Sequence, residues 1–342
     1  MIDVNGFEIG GDKAYIIADV GSNHKQDLIL AKESIHAAKE AGANAVKFQS
    51  IQTDALYHKP SLSTRNFVNQ LEFPEDWHFQ LSEYAKKLDV TFFSSPTYLK
   101  SIDLLEEIKV PIYKIASAQI GTFPQLVEKV ASTGKPTIIS TGIANYAELT
   151  KAIGIFEKFN NTNYIILHCN SVYPAPPHIV NMPMMNVYKA MFNCLVGFSD
   201  HTNGNHVALS SVAQGAKVIE KHFTLSRDFK TPDSTSFAAT PEDFKTLVNS
   251  IREVELSMTW TKPRTVILKE ESNFKNSIIY RLRAKKNIVK GDSLNSDNVD
   301  FIRYESGVDA RTFAEYSSYK AAADITKNSI IYDDQIERQS TH

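Results

Sequence analysis

Two histidines stand at the ends of short apolar segments in the second half of the chain. The run CLVGFS is followed by His201, and the run KVIEKHF contains His222. If these runs are neighbouring parallel strands, their carboxyl ends bring the two imidazoles to a similar height. Such a pair can hold a divalent metal with open positions, or each ring can hydrogen-bond substrate or backbone. The residues alone leave both chemistries open.

Two lysines lie inside apolar segments, where a cation needs a partner. Lys47 stands in AVKFQS with Gln49 two residues later, so both side chains point to one face of a strand. Lys114 stands in PIYKIAS and needs a partner anion or a lowered pKa. Two inward lysines beside several serines predict a cradle for a small anion that carries phosphate and carboxylate. The alternative for Lys47 is a side chain that extends from the rim into solvent.

Polar residues close nearly every apolar segment of this kind. The remaining ones are Asp19 with Asn23 and His24, Ser94 and Ser95, Ser117, Ser140, His168 with Asn170 and Tyr173, and Ser199 with Asp200. One such residue means little, because strand ends are solvated and polar by default. Eight successive examples predict a shared site. We expect His24 and His168 to support that site by hydrogen bonds and not to bind metal.

Eight apolar segments alternate with segments of helical period. The eight runs are 14–20, 44–50, 90–95, 111–117, 136–141, 164–169, 194–199 and 217–223. Between two of them, LILAKESIHAAKEAG repeats apolar residues every three or four positions. Eight strand–helix repeats predict an α/β fold of the closed (β/α)8 barrel type, whose strand ends meet at one mouth. An open doubly wound sheet has fewer strands, and the glycine-rich loops of nucleotide sites are missing from the sequence.

The pattern changes after residue 258. Residues 1–258 form the predicted barrel domain, and the polar segment 259–278 carries charges of both signs, which predicts a linker. Residues 279–342 contain short strand candidates separated by the turns KGD and NSDN, which predicts a small mixed-β domain. A core of this size is marginal by itself, so we expect the domain to lean on something larger.

Composition excludes several classes of protein. The 342 residues contain 37 Lys and Arg against 39 Asp and Glu, so no net basic field favours nucleic acid or a membrane surface as a partner. The first residues show no basic segment followed by a long apolar run, and we expect a cytoplasmic protein. Cys169 and Cys194 match neither a disulfide framework nor a zinc site, and we expect both to be reduced core residues.

Taken together, the motifs resemble the sialic acid synthase family over essentially the whole chain. The matching segments are ADVGSNHKQDL, AVKFQS, YKIASAQ, IISTG, LHCNSVYPAP, GFSDHT and EKHFTL, followed in the tail by KNIVKGDSL and FIRYESG. The resemblance implies a TIM barrel followed by an antifreeze-like (SAF) domain. It also implies a homodimer in which each small domain covers its partner's barrel. The implied reaction condenses phosphoenolpyruvate with an N-acetylated amino-hexose and water to give a nonulosonic acid and phosphate.

The resemblance further implies a role for individual residues. Those implied to hold phosphoenolpyruvate are Lys47, Lys114, Ser117, Ser140, Asn170, Ser171 and Ser199. Those implied to contact the open-chain sugar are Gln49, Tyr173, Asp233 and Arg303 of the partner subunit. His201 and His222 would bind manganese, with Mg²⁺ or Co²⁺ as alternatives. The residues themselves permit a mechanism in which Asp19 orients or deprotonates the attacking water and Lys47 and Lys114 stabilise the departing phosphate.

Three departures concern members of that family that form N-acetylneuraminate. Asp19 and Gln119 stand where such members have Glu, and Asn170 with Ser171 stands where they have Thr-Asn. The anion cradle and the histidine pair are retained. The sugar therefore stays open between N-acetylmannosamine and a diacetamido-trideoxy hexose leading to a legionaminic- or pseudaminic-type acid. If Gln119 marks specificity, the diacetamido sugar is preferred.

Two other functions are compatible with the residues. Lys114 inside a barrel strand could form an imine with a keto acid, as in a metal-independent Schiff-base aldolase. The small C-terminal domain could serve a non-enzymatic sugar- or surface-binding protein that uses the barrel as a scaffold. The converging polar strand ends argue against the second alternative, because a scaffold has no use for them.

Overall fold

Residues 1–259, 266–313 and 318–338 are described by the computed structural model of the chain. They fall into two compact units, of which the first is Met1–Thr259 and the second comprises the described residues from 266 onward. The first unit begins with an antiparallel hairpin of β1 (Ile2–Val4) and β2 (Phe7–Ile9).

Eight parallel strands follow the hairpin. They are β3 (Tyr15–Gly21), β4 (Ala45–Ser50), β5 (Thr91–Pro96), β6 (Tyr113–Ile115), β7 (Thr137–Ser140), β8 (Tyr164–His168), β9 (Leu195–Asp200) and β10 (Val218–His222). Their order is β5-β4-β3-β10-β9-β8-β7-β6, so the first and last of the eight pair side by side. At the remaining seam between β5 and β6, the Ser95 hydroxyl donates to the carbonyl oxygen of Lys114 at 3.4 Å. The predicted (β/α)8 barrel is confirmed, with all eight strands at the predicted places.

Helices connect these strands. They are α1 (Leu28–Glu40), α2 (Thr53–Leu56), α3 (Leu62–Val68), α4 (Trp77–Lys87), α5 (Leu99–Glu107), α6 (Ser117–Ile120), α7 (Pro124–Ser132), α8 (Tyr146–Lys158), α9 (Met184–Phe192), α10 (His206–Ala213) and α11 (Pro241–Met258). Capping boxes begin two of them, formed by Asn145 with Glu148 on α8 and by Thr240 with Asp243 on α11. Within the described ranges, every helix is too short or too polar to cross a membrane.

Successive side chains along a strand point alternately into the barrel and toward the surrounding helices. On β4, the Phe48 ring packs against Phe73 with 5.4 Å between ring centroids. Lys47 and Gln49, on either side of Phe48 in the chain, point into the barrel and line its pocket. The side-chain period of two along a strand therefore sends apolar residues to the helices and polar residues to the mouth.

Among its described residues, the second unit contains one α-helix and two small antiparallel sheets. Its elements are α12 (Lys269–Ser277), β11 (Tyr280–Ala284), β12 (Val299–Arg303), β13 (Tyr319–Ala321) and β14 (Ile336–Arg338). Strand β11 pairs with β12, and β13 pairs with β14. The small mixed-β domain predicted from the sequence is confirmed. Of the predicted range 279–342, residues 314–317 and 339–342 lie outside the described residues.

The segment predicted as a linker, 259–278, contains a helix that its sequence pattern does not indicate. Helix α12 has no buried residue, so it lacks the apolar stripe by which a helical period is recognised. Glu270 and Glu271 in its first turn and Lys275 in its last turn complement the helix dipole. Residues 260–265 of this segment lie outside the described residues.

Candidate active site

A pocket of about 260 Å³ opens at the carboxyl ends of the barrel strands. The residues selected from the sequence that line it are Asp19, Lys47, Gln49, Lys114, Ser117, Ser140, Ser171, Tyr173, Ser199, His201, His222 and Asp233. Ala116, Cys169 and Glu220 complete the lining. This end of a (β/α)8 barrel is where such folds carry their chemistry. The structure brings these residues together, and what each of them binds stays a prediction.

The two lysines of the predicted anion cradle lie in a buried network of four charged residues. The Lys114 ammonium donates to both carboxylate oxygens of Glu220, at 2.8 and 3.0 Å. The Lys47 ammonium lies 2.8 Å from Asp19 Oδ2 and 3.6 Å from Glu220 Oε2. All four side chains are only 3% exposed. Each charge in the network is therefore compensated within the barrel, as burial requires.

The pKa values of this network follow from the balance of burial and pairing. Burial alone would lower the pKa of Lys47, but the carboxylates of Asp19 and Glu220 outweigh burial and raise it. For Lys114 burial is the stronger effect, so its pKa is lowered despite Glu220. Burial would raise the pKa of Glu220, and the two lysines reverse this and lower it. Glu220 therefore stays ionised and is the counter-ion that stabilises both lysines.

Glu220 is a site residue that the sequence analysis did not select. It lies two residues before His222 on β10, so both side chains point into the pocket. Its Oε1 also accepts the hydroxyl of Ser199 at 2.9 Å. The signal was present in the sequence, because an inward lysine needs an anion and the motif EKHF carries one on the inward face.

The rings of His201 and His222 lie 5.3 Å apart, centroid to centroid. His201 Nδ1 lies 2.6 Å from the carbonyl oxygen of Asn170, which can only accept, so Nδ1 carries the proton and Nε2 keeps its lone pair. Burial and then the His222 charge lower the pKa of His201 to about 3. At physiological pH this imidazole is neutral, which is the form that binds metals.

His222 and the neighbouring Asp19 each have one buried polar atom without a hydrogen-bond partner among the described residues. His222 Nε2 lies 3.6 Å from Asp19 Oδ2, while His222 Nδ1 and Asp19 Oδ1 have no hydrogen-bond partner among the described residues. Such atoms are rare in folded proteins, and their clustering indicates a ligand that the chain does not supply. The described residues contain no group of three or more His, Cys, Asp or Glu arranged to hold a metal. The two imidazoles by themselves could supply two nitrogen ligands to a divalent ion that keeps open positions, and their binding of a metal stays a prediction.

Aromatic rings enclose the histidine pair on one side. The ring of Tyr173 lies 4.3 Å from that of His201, and the ring of Phe237 lies 5.1 Å from that of His222. Phe237 is buried there because the chain returns beside β10, where the Ala239 N–H donates to the carbonyl oxygen of His222 at 2.8 Å. Phe237 was not selected from the sequence, since the path of a long loop leaves no periodic pattern.

Of the residues with an implied role in substrate binding, Asn170 and Arg303 do not belong to this lining, and neither do the strand-end residues Asn23, Ser94, Ser95 and Asp200. The Asn170 side-chain amide donates to the carbonyl oxygen of Ile179 at 3.1 Å, so Asn170 acts on the site through its own carbonyl, which holds His201. Arg303 lies on β12 in the second unit, with its guanidinium 5.3 Å from the ring centroid of Tyr280. The contact of Arg303 with a partner's barrel stays a prediction.

His24 and His168 lie behind the lining and make hydrogen bonds. His24 Nδ1 accepts the backbone N–H of Gln26 at 3.2 Å, and its ring packs against Trp77. His168 bonds the carbonyl oxygen of Val180 through Nε2 at 2.5 Å. Burial lowers the pKa of both imidazoles, that of His24 to about 4, so both are neutral at physiological pH.

A pocket of buried lysines, carboxylates, serines and imidazoles at the carboxyl ends of the strands is typical of a (β/α)8 barrel enzyme. The chain belongs to the NeuB family, whose sequence model matches residues 34–262. The resemblance to the sialic acid synthases that the motifs indicate is thereby confirmed.

Individual relatives span nearly the whole chain. An uncharacterised protein of Methanocaldococcus jannaschii is 40% identical over 95% of both chains. The pseudaminic acid synthase of Helicobacter pylori is 35% identical over 94% of this chain and 98% of that protein. The N,N'-diacetyllegionaminic acid synthase of Campylobacter jejuni is 36% identical over 93% and 99%. The crystal structure of the N-acetylneuraminic acid synthetase of Leptospira borgpetersenii superposes with a TM-score of 0.73 at 32% identity, over 80% and 94%.

Proposed function

We propose that the protein is a nonulosonic acid synthase, which condenses phosphoenolpyruvate with an N-acetylated amino-hexose and water to give a sialic-type acid and phosphate. The observation that carries this proposal is the buried network of Lys47, Lys114, Asp19 and Glu220 beside two imidazoles at the barrel mouth. The similarity to pseudaminic and legionaminic acid synthases supports it. Because phosphoenolpyruvate is made inside cells, a cytoplasmic location is part of the proposal.

The charge of the pocket supports a metal ion as part of the site. Its lining carries two lysines against the three carboxylates of Asp19, Glu220 and Asp233, a formal charge of −1 with neutral histidines. Phosphoenolpyruvate bears a phosphate and a carboxylate, so this lining alone would oppose its binding. A divalent cation on His201 and His222 would remove that opposition. We propose Mn²⁺ in this place, with Mg²⁺ or Co²⁺ as alternatives.

Different residues of the pocket act on different steps of the proposed reaction. Lys47 and Lys114 bind the phosphate of phosphoenolpyruvate and stabilise it as it departs. C3 of phosphoenolpyruvate attacks the aldehyde carbon of the open-chain sugar, water adds at C2, and the bond from C2 to the phosphate oxygen breaks. Asp19, whose Oδ1 has no hydrogen-bond partner within the described part of the chain, would orient that water or accept its proton. A bound divalent ion would supply polarisation of the aldehyde oxygen.

A metal-independent Schiff-base aldolase is the second candidate, because burial lowers the pKa of Lys114 and so favours a neutral amine. Its two hydrogen bonds to Glu220 favour the ammonium form and oppose this effect of burial. Borohydride trapping with pyruvate separates the two reactions. A covalent label on Lys114, with activity that survives a chelator, would replace the synthase proposal.

The sugar is identified by comparing phosphate release with different amino-hexoses. We expect kcat/KM for a diacetamido-trideoxy hexose to exceed that for N-acetylmannosamine by about tenfold, because one unmatched buried polar contact costs about 1–3 kcal/mol. Gln119 does not belong to the pocket lining, and its Oε1 is buried without a hydrogen-bond partner among the described residues, so an effect of Gln119 on the sugar would be indirect. The matched variant Gln119→Glu should lose the preference. Equal or better kcat/KM with N-acetylmannosamine would show that Gln119 does not mark specificity.

The proposed assembly is a homodimer in which Arg303 of the partner subunit covers the pocket and completes the sugar site. The fixed charge and hydrogen-bond donors of a guanidinium suit sugar hydroxyls or a carboxylate. The hydrophobic core of the second unit has ten buried residues among those described. So small a core supports a domain that leans on a partner. Arg303→Ala and His222→Ala should then each be nearly inactive as homodimers.

Mixing the two inactive proteins tests this arrangement. In a heterodimer one site inherits both defects, and the other has an intact barrel and an intact arginine. Co-refolding should restore up to roughly a quarter of wild-type activity, since half of randomly paired dimers are mixed and each has one good site. The control mixes His222→Ala with a chain that carries both changes, which cannot restore a site. Heterodimers without restored activity would place Arg303 on its own barrel or away from the site.

A further inference from the structure

The Gly21–Asn23 turn, three residues at the end of β3, is bonded to the loop that carries Asp233. Ser22 donates its hydroxyl at 2.7 Å and its backbone N–H at 3.3 Å to the same atom, Asp233 Oδ2. The Asn23 amide donates to the carbonyl oxygens of Asp233 at 3.0 Å and Phe223 at 2.9 Å. Ser22 and Asn23 are both 1% exposed. These two side chains therefore tie the Asp233 loop, residues 223–240, to the barrel.

A third bond and a close approach complete the connection. The Thr231 hydroxyl donates to Asn23 Oδ1, so every polar atom of the buried Asn23 amide is used. Gly21 lies in the left-handed region with φ of +54°, and a Cβ there would lie 2.8 Å from Asp233 Oδ2 and 3.3 Å from Gln49 Nε2. Only glycine allows the backbone to approach Asp233 so closely.

These contacts position the Asp233 carboxylate, which is one part of the pocket lining. Both Ser22 donors go to Oδ2, so they fix the direction of the Asp233 carboxylate that lines the pocket. A long strand-to-helix loop held at its middle loses less entropy when a ligand orders it. Lys114, Ser140 and Ser199 stand on β6, β7 and β9 and make none of these bonds.

We propose that Ser22 and Asn23 are positioning residues that hold the Asp233 loop against the end of β3 and thereby set the sugar end of the pocket. They act through Asp233 and leave the binding of phosphoenolpyruvate unchanged. This rests on the proposed function, in which Asp233 contacts the amino sugar and the lysines hold phosphoenolpyruvate.

The Ser22→Ala variant tests the proposal through its two Michaelis constants. We expect KM for the sugar to rise about tenfold, as for loss of the one hydrogen bond that the hydroxyl donates to a charged group, with KM for phosphoenolpyruvate within about twofold of wild type. Asp233→Ala should show the same split. Because Ser22 acts through Asp233, the double variant should be no worse than Asp233→Ala alone. Thr231→Val removes the hydrogen bond from the half-buried Thr231 hydroxyl to Asn23. This variant should also raise KM for the sugar and leave KM for phosphoenolpyruvate unchanged, but by a smaller factor.

The matched control is Ser34→Ala. Ser34 is also 1% exposed and donates its hydroxyl to the carbonyl oxygen of Leu30 at 2.8 Å, on α1 and outside the pocket lining. Its kinetic constants should equal those of wild type. Equal changes in both Michaelis constants of Ser22→Ala, no change in either, or additive losses in the double variant would each overturn the proposal.

Failure of the proposed function is a separate outcome. Wild-type protein that releases no phosphate with any amino sugar would reject the synthase, and the crystal structure of Ser22→Ala then decides the positioning role. An Asp233 carboxylate displaced from its place supports that role, and an unmoved one refutes it.

Discussion

His201→Ala and His222→Ala proteins are expected to lose their bound metal and to turn over at least about a hundredfold more slowly than wild type, since Lewis-acid assistance supplies several kcal/mol. The fold should remain, because both side chains line the pocket and the apolar core of the barrel does not depend on them. Metal content by mass spectrometry, phosphate release and circular dichroism measure these three quantities.

The matched control for the histidine variants is His206→Ala. His206 is exposed at the first residue of α10, outside the pocket lining, and its removal should change neither metal content nor rate. Full activity of metal-free wild-type protein would reject the metal site. Retained metal in both histidine variants would place the ion elsewhere.

Glu220→Gln should lower kcat/KM for phosphoenolpyruvate by about tenfold to a hundredfold, because the two lysines that bind its phosphate lose their shared counter-ion and a hydrogen bond to a charged group contributes about 1.5–3 kcal/mol. Burial already lowers the pKa of Lys114, and the loss of its anion lowers that pKa further. The protonated lysine that binds phosphate is therefore lost as pH rises through this lowered pKa. The activity of the variant should fall at a lower pH than that of wild type.

A pH profile of kcat/KM for phosphoenolpyruvate measures this effect. The matched control is Glu255→Gln, whose carboxylate accepts the Ala14 N–H and pairs with Arg252 at the opposite end of β3. That variant should lose some thermal stability and keep the wild-type pH profile. A wild-type profile and rate in Glu220→Gln would show that the lysines do not depend on this carboxylate.

Much of this architecture is predictable from the sequence for a physical reason. Strand period and parallel topology fix which side chains share the barrel mouth, so Lys47, Lys114, His201 and His222 could be placed together without coordinates. Glu220 obeys the same parity rule. The need of the buried Lys114 for an anion indicates Glu220 from the sequence, beside the histidine of the same motif.

Other features depend on chain paths that have no period. Phe237 and the bonds from Ser22 to Asp233 arise from the fold of the Asp233 loop, and no local pattern indicates where such a loop docks. Helix α12 carries a single apolar residue, Phe274, and so has no apolar stripe, which leaves its charged ends as the features that favour a helix. Asn170 follows the end of a strand, but its side-chain amide donates a hydrogen bond to the backbone carbonyl of Ile179 and so does not line the pocket.

The most direct test of the central claim, that this pocket joins phosphoenolpyruvate to an amino sugar, is to follow both products of one reaction. The protein is incubated with Mn²⁺, phosphoenolpyruvate and a diacetamido-trideoxy hexose, with ³¹P resonance for phosphate and mass spectrometry for the acid. We expect one phosphate and one nine-carbon keto acid for each phosphoenolpyruvate consumed, and neither with His222→Ala protein. Phosphate accompanied by pyruvate in place of the nine-carbon acid, or no consumption with any amino-hexose, would contradict the claim.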